Sequence, residues 1–201
     1  LDKIFEDREI TTKEYLIAKG FSKTIIKNFF TPFFRGIFLE EELYTSSRMF
    51  EFVFKMFGEG LALIPKGGIE DIPIHLKDKL QKTEIYHSSF ASSVKNMEIT
   101  LADGKKIKTN YTIIATEPTN LVDGLKGQDA GWKSCQNLYF TCSRRVYEKA
   151  FIGLVSNQEC LINNIFYPTS VPTNKKTKDE LLSVTIVKDH GLTEKELIER
   201  V

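Results

Sequence analysis

Eleven of the chain's 15 phenylalanines fall between Phe5 and Phe57. This clustering constrains the fold more than any other feature. One third of the chain carries most of the bulkiest apolar surface and has to bury it against something. The local signals in that third are helical. Thr11 and Glu14 have capping-box spacing, and Gly20 suits the end of a short helix. Ser22 predicts the cap of a second helix, Lys23 to Phe30. Thr31 followed by Pro32 predicts a third start, with proline at the first helical position. Ser46 or Ser47 predicts a fourth helix, closed by Gly58. Within it Met49, Phe50, Val53, Phe54 and Phe57 recur at three- and four-residue spacings and share one face. The stretch NFFTPFFRGIFL, residues 28–39, holds too many aromatics for one stripe. Phe29, Phe30, Phe33, Phe34 and Phe38 cannot all point one way, so some must meet another domain, a ligand or a neighbouring chain.

Further along, the pattern changes. Ala62 to Ile64 reads as a short strand, followed by the turn residues Lys66, Gly67 and Gly68. Ile69, Ile72, Leu76 and Leu80 then mark an amphipathic helix, and Pro73 places its start between Ile69 and Asp71. Glu84 to Val94 is strand-like. Met97 to Leu101, Asp103-Gly104 and Ile107 predict a hairpin. YTIIAT, residues 111–116, is a compact β-branched run of the kind expected of a strand buried on both faces. Thr119 to Leu125 predicts one or two helical turns. Leu138 to Cys142, Leu161 to Tyr167 and Leu181 to Val187 are the best later strands, with a polar connection at residues 168–180. Thr193, with Glu196 in capping-box position, starts a last helix.

The bulk composition excludes several function classes. Lys plus Arg number 28 against 27 Asp plus Glu, which argues against a dedicated nucleic-acid binder. Cys135, Cys142 and Cys160 are an odd number without a CxxC pair, which fits a reduced, cytoplasmic setting. No apolar run approaches the roughly 18 residues of a membrane span, and no signal-peptide pattern is present. The chain opens on Leu1, and its last helix reaches Val201 without a stop signal. Both predict an internal piece of a longer protein.

Few residues carry obvious chemistry. The glycine turn is not a P-loop, because its lysine precedes the glycines and Ile69 follows them. Nor is it a dinucleotide fingerprint: Gly58 and Gly60 fit GxGxxG, but Leu63 stands at the third glycine. An anion could still sit at the following helix N-terminus, although Glu70 and Asp71 would repel it. A tight turn is the simpler reading. His75, His87 and His190 have no second ligand at helical spacing, so no metal site is expected. Cys135 and Cys142 read as small buried side chains. Arg144 and Arg145 are open to solvation, acid pairing or a ligand.

The order of motifs nevertheless resembles one family. FFTPFFRGIFLEEELYTSSRMFEFVFKMFGEG leads into ALIPKGGIEDIPIHL, then EIYHSSFASSV, the hairpin EITLADGKKIKTNY and TIIATEP. This order resembles the FAD-dependent amine oxidase and phytoene desaturase superfamily, over roughly residues 20 to 190. The resemblance implies an α+β chain with a helical segment, a mixed β-sheet of a substrate domain and part of an FAD-binding domain. Residues 1–60 would be the helical part of the substrate domain. Residues 61–125 would be the partial FAD-binding domain, and 126–201 the substrate-domain sheet and a truncated helix.

It also implies site residues. The strand Phe90 to Val94 would make a backbone contact to the FAD adenine, with Ala91 where the family often has valine. Ala115, Thr116 and Pro118 would pass the dinucleotide half of the cofactor. Phe34, Phe38 and Tyr139 would shape the substrate pocket. No catalytic side chain is assigned, because the flavin supplies the redox chemistry.

The GxGxxG unit that holds the pyrophosphate is absent from these residues, so the fragment alone is expected to bind FAD weakly and to be inactive. The parent enzyme would move a hydride from a C–N or C–C bond of an apolar or amphipathic small-molecule substrate to flavin. Amine-oxidase and desaturase chemistry both remain open. Self-association through uncovered apolar surface is a further expectation. The alternative is a non-catalytic module that binds a lipid or a protein partner through its phenylalanine-rich helices.

Overall fold

The computed structural model describes residues 2–6, 8–125, 127, 131–172 and 178–201, with Asp2 and Lys3 described by backbone alone. The chain is α+β: helices with two antiparallel sheets. It divides into two units, Leu1–His75 with Lys133–Val201, and Leu76–Trp132. No helix among the described residues is long and apolar enough to cross a membrane.

In the larger unit, α1 (Asp2–Glu6) precedes α2 (Thr12–Ala18). The Thr11–Glu14 capping box forms in both directions, and Gly20 follows the helix at φ +83°. Ser22 caps α3 (Lys23–Ile25), its hydroxyl accepting from the Ile25 N–H. No third start occurs at Thr31. The helix widens into a π turn over Ile26–Phe30 and continues as α4 (Thr31–Phe38). The wider turn lies just ahead of Pro32, whose missing N–H and bulky ring cannot serve an ordinary α-helical turn. Leu39 then ends α4 in the left-handed conformation at φ 51°. Ser46 caps α5 (Ser47–Glu59), which runs past the predicted stop at Gly58.

These helices pack around Leu16, Ile26, Phe30, Phe34, Phe38, Leu43 and Phe50. Burial of each large apolar side chain stabilises by about 1.5–3 kcal/mol before entropy is counted. The Phe34 and Phe50 rings lie 4.7 Å apart and tilted, while Phe34 and Phe38 lie 5.3 Å apart. Arg35 is buried beside them, and its Nε donates to the Glu41 carbonyl at 3.2 Å, holding the turn that follows α4.

The four-stranded sheet of this unit has the order β4 (Gln136–Cys142), β7 (Glu180–Ile186), β6 (Ile162–Phe166), β5 (Gly153–Leu154). All its pairings are antiparallel. Part of the predicted connection at 168–180, residues 173–177, lies outside the described residues. The sheet meets the helices where β6 faces α4. A β-bulge in β6 inserts Asn163 between the paired residues Ile162 and Asn164. Bulges re-aim a side chain, and here the buried Asn163 amide donates to the Pro32 carbonyl at 3.0 Å. Gly36 makes room for it: a Cβ there would stand 3.0 Å from Asn163 Nδ2. Thr193 and Glu196 form the second capping box, at the start of α7 (Glu194–Arg200).

The smaller unit contains a meander of β1 (Ala91–Lys95), β2 (Glu98–Leu101) and β3 (Lys106–Lys108). The predicted DG turn is present, with Gly104 at φ +85°. Thr119 to Leu125 contains a single 3₁₀ turn, Asp123–Leu125.

Three predicted strand features differ from the structure. Residues 111–116 form no strand, and Tyr111 and Ile113 are each 93 % exposed. Ala62 to Ile64 forms no strand, with Leu61 and Leu63 largely exposed. Of Glu84 to Val94, only the end belongs to a strand. The physical reason is common to all three. A β-run needs a neighbour for its N–H and C=O groups, and no described strand lies alongside. For the same reason both sheets are purely antiparallel rather than mixed. The helix α6 (Asp71–Lys79) forms as predicted, but its stripe of Ile69, Ile72, Leu76 and Leu80 is exposed rather than packed.

Candidate functional site

The expected cofactor residues all lie in the smaller unit and the expected pocket residues all lie in the larger one.

Ala91 opens β1, the outer strand of its sheet. The carbonyl of Phe90 accepts from the Ala102 N–H at 2.8 Å. Groups of adjacent residues alternate sides in an antiparallel ladder. The N–H and C=O of Ala91 therefore face the open edge, away from β2. Farther along the same edge, the Val94 N–H donates to the Leu121 carbonyl at 2.8 Å. An open backbone edge at Ala91 fits the adenine contact that the resemblance implies, and it depends on no particular side chain. Ala115 and Thr116 are exposed in the unpaired segment, while Pro118 starts a turn. Its carbonyl accepts from both Leu121 and Val122 N–H groups, at 2.9 and 3.0 Å.

The glycine turn is occupied by its own chain. The Gly68 N–H donates to the Pro65 carbonyl at 2.9 Å, and the Gly67 N–H donates to Asp71 Oδ2 at 2.9 Å. Asp71 thus places a carboxylate where an anion would have to bind. Gly68 sits at φ +106°, which only glycine adopts without strain.

In the larger unit, Phe34 is fully buried and Phe38 nearly so, both inside the helical core. Tyr139 stands on the outer strand β4 and is 61 % exposed. No ring contact joins Tyr139 to either phenylalanine among the described residues. The open apolar concavity is lined by other side chains. A groove of about 550 Å³ is walled by Tyr15, Phe21, Phe30, Phe50 and Phe54. Its polar members are Lys19, Glu51 and Lys55. The Tyr15 hydroxyl donates to the Glu51 carboxylate, and Lys19 lies 5.1 Å from the centre of the Tyr15 ring. Phe34 stands directly behind the groove wall through its contact with Phe50. The helical repeat of α5 had marked Phe50 and Phe54. Phe21 and Tyr15 carried no such signal, because they enter through the turn after α2 and the packing of α2 on α5.

Histidine and thiol chemistry is quiet. The two His190 ring nitrogens meet Gln136 Oε1 at 2.9 Å and the Leu192 N–H at 3.0 Å. Cys135, Cys142 and Cys160 are all free, and against expectation Cys135 is exposed and Cys142 only half-buried. Among the described residues no group of three or more His, Cys, Asp or Glu could hold a metal ion. Burial raises the Tyr147 hydroxyl above its ordinary pKa, keeping it a neutral donor to the Ile165 carbonyl. Arg145 is paired with Glu180, Nε to Oε1 at 3.2 Å, which gives that cation a structural partner.

A comparison with curated proteins finds no match. Against family models, one described as flavin containing amine oxidoreductase matches residues 6–201. That span takes in both units, including the aromatic helices, the glycine turn and the hairpin whose order carried the resemblance. The chain therefore belongs to the flavin-containing amine oxidoreductase family.

Proposed function

We propose that this chain serves an FAD-dependent oxidoreductase that moves a hydride from a C–N or C–C bond of an apolar or amphipathic substrate to flavin. The family match over residues 6–201 carries this reading. When bound, the flavin supplies the redox chemistry. The residues of this chain bind and orient.

In the smaller unit, the outward N–H and C=O of Ala91 offer one donor and one acceptor to the adenine edge. Ala115, Thr116 and Pro118 line the path of the dinucleotide half. In the larger unit, Tyr15, Phe21, Phe30, Phe50 and Phe54 take the apolar body of the substrate. Lys19, Glu51 and Lys55 meet its polar end, and Phe34 and Phe38 hold the wall from behind. On this reading residues 1–60 and 126–201 belong to the substrate domain and 61–125 to the FAD-binding domain. The free cysteines support a reducing, cytoplasmic setting. No GxGxxG lies within the chain, so its own affinity for FAD is weak and the chain by itself is inactive.

The test is spectroscopic. Protein made from the complete reading frame should carry a flavin absorbance band that bleaches anaerobically with an apolar amine or a desaturable lipid. The 201-residue chain titrated with FAD should show little or no quenching of flavin fluorescence. A full-length protein that takes up no added FAD would overturn the proposal.

A further inference from the structure

We propose that the face formed by residues 19–29 docks on an anionic lipid surface. Phe21, Ile25 and Phe29 succeed one another at four-residue intervals and are 43, 41 and 39 % exposed. Lys23 and Lys27 lie on the same helix as Ile25 and Phe29, Lys19 closes α2 just before it, and all three lysines are exposed. From Tyr15 to Leu39 the chain has Lys19, Lys23, Lys27 and Arg35 and no carboxylate at all. Arg35 is buried, so the three lysines are the charges presented outward. None of them forms an ion pair among the described residues; Lys19 has only the Tyr15 ring beneath it. Glu14 accepts from Thr11, and Glu51 accepts from Tyr15.

An apolar stripe with lysines beside it suits a bilayer of negative charge. The rings enter the headgroup boundary while the lysine stems lie along the apolar surface and their ammonium groups reach the phosphates. A second copy is a poor occupant. A self-complementary contact across this face would bring lysine against lysine, with no acid in the stripe to offset them. Ile25 and Phe29 project from a helix that is anchored on its other side by Ile26 and Phe30, both in the core, and Phe21 stands just before its cap with its ring 4.9 Å from that of Phe30. The stripe is therefore held outward and does not need to fold on contact. This inference is independent of flavin binding, although Phe21 and Lys19 are shared with the rim of the groove.

Vesicle co-sedimentation of the 201-residue chain tests it. The chain should sediment with phosphatidylcholine vesicles that contain phosphatidylserine, not with pure phosphatidylcholine, and high salt should release it. The variant K19Q/K23Q/K27Q should partition at least about tenfold more weakly. Circular dichroism would show that this variant is folded. In a W132F background, I25W should shift its emission to the blue on adding anionic vesicles. Failure of the wild-type chain to sediment with the anionic vesicles overturns the proposal. So does sedimentation that is indifferent to the lysines and to salt. A wild-type chain that self-associates and becomes monomeric as I25S also overturns it, because a second copy would then cover the stripe.

Discussion

At the scale of single residues, identical side chains have different roles according to what surrounds them. Phe34 has no exposed surface, while Phe54 is 50 % exposed at the rim of the groove. Phe34→Ala should cost about 3–5 kcal/mol, and Phe54→Ala should cost much less. Urea unfolding followed by circular dichroism separates the two. Equal losses would mean that the groove rim is part of the core. Gly68 makes a sharper local demand. At φ +106° a Cβ is strained whatever space lies around it, so Gly68→Ala should destabilise by about 1–2 kcal/mol. Both glycines of this turn were legible from sequence as turn formers. That Asp71 would accept from Gly67 and so fill the anion position was only half legible: the acid was visible, but its reach back was not.

At the scale of elements, the helix starts were the most readable features. Thr11–Glu14 and Thr193–Glu196 close as two-way capping boxes, because a capping box needs only residues within one turn. Both carboxylates titrate below their ordinary range. For Glu14 the backbone N–H of Thr11 is the main cause and its hydroxyl the second; for Glu196 the Thr193 hydroxyl leads and its N–H follows. A depressed carboxylate stabilises the fold above its unfolded pKa, and that contribution is lost as pH falls through the folded value. Acidification through the carboxylate range should therefore fray α2 and α7 at their N-termini. NMR titration of the Glu14 and Glu196 side chains should show midpoints below those of the uncapped glutamates. Thr11→Ala should remove about 1 kcal/mol at neutral pH, and the low midpoint of Glu14 should rise only in part, because the residue 11 N–H, the larger cause, is still there. The π turn before Pro32 and the bulge at Asn163 were not readable. Each answers to a partner outside its own segment.

At the scale of the whole molecule, the apolar residues are divided unevenly between core and surface. Tyr86, Phe90 and Tyr111 are 66, 74 and 93 % exposed and lie outside or at the edge of regular structure. Limited chymotrypsin digestion should cut at these sites first, since proteolysis follows local opening. A first cut after Phe30 or Phe34 would contradict the packing described here.

The sequence alone determined what depends on near neighbours. Two capping boxes, the DG hairpin, the strands β4, β6 and β7, and the motif order of a flavin-containing amine oxidoreductase could all be read along the chain. Tertiary structure decided which apolar runs became strands and which phenylalanines became core. YTIIAT and LLSVTI have similar β-branched character, yet only the second lies between two partners, β4 and β6. A strand gains its stability from hydrogen bonds and packing to a neighbour elsewhere in the chain, and no local pattern states whether that neighbour is there. The Asn163 to Pro32 hydrogen bond, which spans 131 residues, sets α4 against the sheet in the same non-local way.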